Sequence, residues 1–176
     1  MKFKNYHWLM ILLTFLCMAF SVYYPLSNYA ELPERIPTHF NGAGQPDSWA
    51  PKNMANLLTG QVIIVFTLFI MVPIVWWMAA VSDPRKIISG PRKKVEKMSP
   101  ARAEQVRETV VFHLLFIMFL VALLIMTISR GTVLVALAEK TAIGGGVAFI
   151  IVLLVSDAVF LTWRVIKLVN KQDSCN

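Results

Sequence analysis

The chain has 176 residues, 57% of them hydrophobic and 15% charged, with a formal net charge of +7. With a mean hydropathy of +0.62, that balance excludes an ordinary water-soluble domain, and so short a chain has too little polar material to wrap several all-apolar helices inside a soluble protein. Nucleic acid is set aside as a partner, because the densest basic stretch lies beside apolar runs, where membrane topology and attraction to anionic lipid account for it.

Four apolar runs, Trp8 to Tyr24, Gln61 to Val81, Val110 to Ser129 and Ala142 to Trp163, each approach the roughly 20 residues that cross a hydrocarbon core. The chain therefore reads as an all-α integral membrane protein with four transmembrane helices and a folded extracytoplasmic loop between the first and second. Lys2 and Lys4 precede the first run as they would in a signal peptide. The run is long, however, and Tyr23-Tyr24-Pro25-Leu26 offers no small-residue cleavage pattern, so the segment is expected to stay. Pro25 is expected to end this helix, because proline lacks an amide donor and disfavours helix at the residue before it. Cys17 lies in the first span and Cys175 in the tail; the two environments differ and no disulfide is implied.

Between Pro25 and Asn56 comes a polar, Pro- and Gly-rich segment that still carries Ile36, Phe40 and Trp49. Leu32-Pro33 and Ile36-Pro37 favour extended backbone, and Asn41-Gly42 with Gly44 supplies turn residues. The pattern predicts an extended piece, a turn, and a return at Asp47 to Trp49. Pro51 suits the first turn of a short helix leading into the second span, with Gly60 and Gln61 marking the entry to that span.

The run Leu32-Pro33-x-x-Ile36-Pro37-Thr38-His39-Phe40-Asn41, followed by Gly44-x-Pro46-Asp47-x-Trp49, resembles the signature of a bacterial membrane domain known as the domain of unknown function 1648. The resemblance covers roughly residues 10 to 60; the rest of the chain is similar only as hydrophobic helices. The same domain begins the Sdp-type immunity proteins, polytopic membrane proteins that protect cells from a secreted toxin peptide and relay its presence inward. The chain reads in two parts: residues 1–60, a first helix plus an extracytoplasmic motif segment to which the resemblance applies, and residues 61–176, three further helices with a basic cytoplasmic loop (82–109) and a cytoplasmic tail.

Pro37, His39, Phe40, Asn41, Gly44, Asp47 and Trp49 are the candidate partner-binding or loop-structuring residues. His39 with Asn41 and Asp47 forms a small polar set that could meet a ligand, but His39 and Asp47 are expected rather to hydrogen-bond turn backbone and hold the segment in shape. One His without a second His or Cys nearby is a poor metal set, so no metal and no cofactor is expected.

Further along, Pro73 predicts a kink or a locally freed carbonyl in the second helix, and Asp83-Pro84 ends it. Ser99 and Pro100 suit the N-cap and first turn of a third helix, running through ARAEQVRET into the third span. Beyond it, either the helix extends with Arg130 snorkelling to the interface or a short surface helix follows over 130–142. Gly144 to Gly146 open the fourth span. His113 lies about four residues into the third span, roughly 6 Å deep, and Asp157 about six residues into the fourth, roughly 9 Å. Ionisable groups at membrane depth are rare and usually paired, so a His113–Asp157 hydrogen bond is expected, with Ser156 and Thr127 as lesser polar contacts. A proton relay is the functional alternative, weakened by the lack of an inverted repeat.

Thirteen of the 17 Lys and Arg residues fall in the N-terminus, the 82–109 connection and the tail. Cytoplasmic segments carry such an excess, so both termini are expected to be cytoplasmic in a bacterial inner membrane. Trp8, Trp76, Trp77 and Trp163 fall at the same ends, with Tyr23 and Tyr24 opposite, as aromatic belts require. No hydrolase, zincin or phosphate-loop motif is present, and no enzymatic activity is expected. Three roles remain: binding or sensing of an extracytoplasmic peptide or envelope protein, with a cytoplasmic protein meeting the 82–109 loop; a small transporter or transporter subunit using Asp157 and His113; and a membrane assembly factor.

Overall fold

A computed structural model describes residues 1–171; Cys175 lies outside the described residues. Four helices are long and apolar enough to cross a membrane: α1 (Asn5–Ser27), α2 (Met54–Ala80), α4 (Pro100–Ala136) and α5 (Gly146–Asn170). The chain is a multi-pass membrane protein. Between α1 and α2 lie a 3-10 turn (Tyr29–Glu31) and an antiparallel hairpin of β1 (Arg35–Phe40) and β2 (Pro46–Pro51). A 3-10 turn (Pro84–Ile87) and the short α3 (Arg92–Glu96) connect α2 to α4.

At 37 residues, α4 is about 55 Å long, well beyond the roughly 30 Å of a hydrocarbon core. It is the mast of the molecule: α1, α2, α5 and β1 all pack on it, while α1 and α2 barely meet. One end of the bundle carries the hairpin. At the other, basic end, Lys4 Nζ lies 3.0 Å from Glu108, and a hydrogen bond from Lys4 holds the two together, raising the Lys4 ammonium above its usual range. The connection from α2 is ordered here too. Val95 and Met98 are buried, and Met98 packs with Ala103 and Val106 of α4 and Leu168 and Val169 of α5.

Several expectations are corrected. Pro25 does not end α1; the helix runs through it to Ser27. A proline at position 25 removes the donor that would bond the Ser21 carbonyl four residues back. That carbonyl instead accepts from Gln61 Nε2 of α2 and from Ser129 Oγ of α4, each at 2.8 Å, and Gln61 Nε2 also reaches Ser129 Oγ at 2.8 Å. With the orphan carbonyl satisfied, helix is the better state even next to lipid. Gln61 is therefore no entry marker but a buried residue inside α2, which begins at Met54 after an Asn53 N-cap accepting from the Asn56 amide at 2.8 Å. Pro51 closes β2 rather than opening a helix.

Arg130 is exposed on an α4 that continues unbroken to Ala136. Its end is a Schellman-type turn in which Ala138 takes φ 59° and the Glu139 amide reaches back to the Leu134 carbonyl at 2.9 Å. Arg107 belongs to the fold and not to an open basic surface: its buried guanidinium caps the Val81 carbonyl beyond α2 and pairs with Glu104.

Replacing Gln61 with Leu is expected to lower stability in detergent by about 0.6–2 kcal/mol, the range for interhelical polar contacts in membranes. Thr67→Val, which removes only a bond within α2 on an exposed side, should stay within about 0.5 kcal/mol of wild type. Thermal unfolding of the two variants checks the difference.

Candidate functional site

The hairpin is held at its base by burial and at its tip by turn chemistry. Leu32 and Ile36 are almost fully buried with Leu57 of α2 and Val133 of α4, and Pro37 is buried beside Ile36. The register pairs Arg35 with Pro51, Ile36 with Ala50 and Pro37 with Trp49, then shifts twice towards the tip. Pro51 tolerates its strand position because the ladder has only two strands and one edge needs no donor. Lys52 Nζ donates to the Leu32 carbonyl at 2.6 Å and lies over the Tyr29 ring.

At the tip, Asn41 Oδ1 accepts from the amides of Ala43 (2.9 Å) and Gln45 (3.1 Å), an arrangement in which a short polar side chain replaces backbone partners. Gly44 takes φ 74°, a region that costs residues with a Cβ. Its carbonyl accepts from the Ile143 amide at 2.9 Å, and a Cβ at this position would sit 3.3 Å from Ile143 Cγ1. The tip is thereby clamped to the α4–α5 connection. Close packing recurs at Gly131 of α4, where an added Cβ would meet Ile143 at 2.9 Å.

His39 and Asp47 bond to each other across the strands, Nδ1 to Oδ1 at 2.5 Å, on exposed side chains. Their role in holding turn backbone is thus corrected; Asn41 does that, and the His39–Asp47 contact ties strand to strand. Trp49 is 40% exposed, and its carbonyl accepts from Arg35 at 3.1 Å. Between the hairpin tip and the start of α5 opens a cleft of about 470 Å³. Thr38, His39, Phe40, Asn41 and Gly44 form one wall, Ile128 and Ile151 the apolar floor, and Gly144 and Gly145 the far rim. Backbone of the α5 start and polar side chains of the tip thus lie around an apolar base. Among the described residues no group of three or more His, Cys, Asp or Glu is placed to hold a metal ion.

The second set of residues lies near the basic end. His113 Nδ1 of α4 is 2.7 Å from Asp157 Oδ1 of α5, both side chains about nine-tenths buried, while Asp157 Oδ2 is buried without a hydrogen-bond partner. A cleft of about 580 Å³ opens beside them, with Glu108, Thr109, His113 and Arg164 among its walls. It reaches the His113 ring, and Asp157 is not part of its lining. Thr127 bonds within α4, to the Leu123 carbonyl, and Ser156 is exposed; neither joins α4 to α5. Sequence reasoning missed Ser21, Gln61, Ser129 and Arg107. Their only signal was polarity at the ends of apolar runs, with Pro25 four residues after Ser21.

Gly44→Ala is expected to cost about 1–2 kcal/mol through backbone strain and to expose the hairpin to protease, whereas Gly42→Ala, with open space around it, should change neither readout. For the interhelical pair, His113→Leu or Asp157→Leu alone should lose about 1–3 kcal/mol by stranding the other polar group. The double replacement should return close to wild type, and a double-mutant cycle in detergent measures the difference.

No curated protein and no solved structure matches the chain. Residues 9–65 match a family model described as a domain of unknown function (DUF1648), a stretch that takes in most of α1, the whole hairpin and the first half of α2 with Gln61. Over residues 9–65, therefore, this multi-pass membrane protein is similar to the DUF1648 family.

Proposed function

We propose that the protein is a non-enzymatic binding or sensing protein of the bacterial inner membrane, of the immunity or signalling type, with the hairpin cleft as its recognition site. The observation that carries this reading is the contrast within one short motif. Leu32, Ile36 and Pro37 are buried to anchor the hairpin, while His39 and Asn41 stay accessible at a tip clamped to the α4–α5 connection and Trp49 is exposed on β2. Burial of the base and bonding of the turn pre-organise the tip, so little ordering entropy opposes an encounter. The charge asymmetry supports placing the hairpin outside the cytoplasm and both termini inside. The partner is then an extracytoplasmic peptide or envelope protein. A cytoplasmic protein would meet the exposed lysines of the 82–99 connection.

A transport reading draws on the His113–Asp157 pair, which sits beside a cleft at membrane depth. That cleft is lined by His113 and not by Asp157, so the binding reading is preferred.

A photoreactive residue at Phe40 or Trp49 should crosslink in living cells to a partner that the same residue at Trp163, on the lipid face of α5, does not capture. Equal capture at all three positions would sink the proposal. A reporter inserted near position 45 should be active only outside the cytoplasm.

A further inference from the structure

Helices α1 and α2 both lean on α4 but leave a slot between them at membrane depth, about 370 Å³ in volume. Thr14 and Met18 of α1, Val65 and Val72 of α2, and Leu115 and Met118 of α4 line it. The one hydroxyl among these residues is spent, since Thr14 Oγ1 donates to the Met10 carbonyl at 2.8 Å. A space lined this way does not hold water, and leaving it empty would forfeit the packing contacts of its walls. Hydrocarbon is the occupant that its chemistry accepts.

Two further observations turn the slot into a site for one kind of molecule. Along α2 it runs from Val65 to Trp76, eleven residues or about 16 Å, which is half of the roughly 30 Å hydrocarbon core and so the depth of a single leaflet. At its basic end it shares Phe3 and Trp76 as a common wall with a second cavity of about 290 Å³, whose lining includes Lys2 and Trp8. Lys2 is exposed, and Trp8 and Trp76 have the amphipathic rings that settle at headgroup level. The space is thus apolar for one leaflet's depth and cationic at its mouth.

We propose that this slot is a binding site for one anionic phospholipid of the leaflet at the basic end, with an acyl chain between α1 and α2 and the phosphate headgroup at Lys2. The charge at the mouth selects lipid over a second copy of the chain, whose own basic end would bring like charge to Lys2. The site is independent of the hairpin cleft and of which side of the membrane either end faces.

The test is native mass spectrometry of the full chain, reconstituted in vesicles of equal phosphatidylglycerol and phosphatidylcholine and extracted into a delipidating detergent. Wild type should retain one phospholipid, predominantly phosphatidylglycerol. Val72→Trp, which fills the slot from a half-exposed position and so spares the fold, should reduce retention about tenfold, and Val65→Trp should do the same. Lys2→Gln should keep a lipid but lose the preference for phosphatidylglycerol. Val159→Trp, on the exposed face of α5, should match wild type. Wild type stripped of all lipid, undiminished retention in both slot-filling variants, or equal loss in Val159→Trp would overturn the proposal. So would a dimer that Val72→Trp dissociates without changing the lipid bound.

Discussion

The Ser21 carbonyl is the point on which three helices agree. Pro25 deprives it of its helical partner, and in lipid an unsatisfied carbonyl costs several kcal/mol. Gln61 from α2 and Ser129 from α4 both reach it, so one backbone defect in α1 fixes the rotation and depth of two neighbours. Lipid tails are as apolar as leucine, and the hydrophobic effect therefore does little to hold such helices to one another. A polar junction of this kind, together with close packing along α4, decides where each helix sits. Ser129 is also two residues from Gly131, whose missing side chain lets Ile143 lie against α4. The junction and the seat of the hairpin tip are thus neighbours on one helix.

That proximity shapes the hairpin cleft. The hairpin is short, and two strands alone are marginal. It is stable because Ile36 and Leu32 are buried between α2 and α4 and because Gly44 bonds Ile143. The cleft between the tip and α5 consequently depends on the relative position of α4 and α5. At the other end of the same two helices, His113 and Asp157 make the polar contact between them. The cleft and this pair therefore both lie along the α4–α5 contact.

Much of the architecture was legible in the residues. Four apolar runs of membrane length imply four helices, because the bilayer thickness sets the number of residues required. Within 32–52, prolines that favour extended backbone flank a turn built on Asn41 and Gly44, and the chain there is a hairpin. Helix limits were less legible. Pro25 reads as a terminator because local rules see a lost donor and a steric clash, whereas the donors that rescue its carbonyl come from positions 61 and 129. Arg107 reads as one charge among many in a basic connection, because nothing local says that it turns inward to cap the end of α2.

Sequence alone thus determined the number of spans, the basic character of one end and the reversal in the segment between the first two helices. These follow from hydrophobic length, charge and turn chemistry, which act within a few residues of one another. The tertiary structure alone decided that α4 is the central helix, that Gln61 and Ser129 answer Pro25, that the hairpin tip rests on Ile143, and that α1 and α2 stand apart over an apolar slot. Each of these depends on which atoms of distant segments lie within hydrogen-bond or van der Waals reach, a matter of three-dimensional packing that no local pattern encodes.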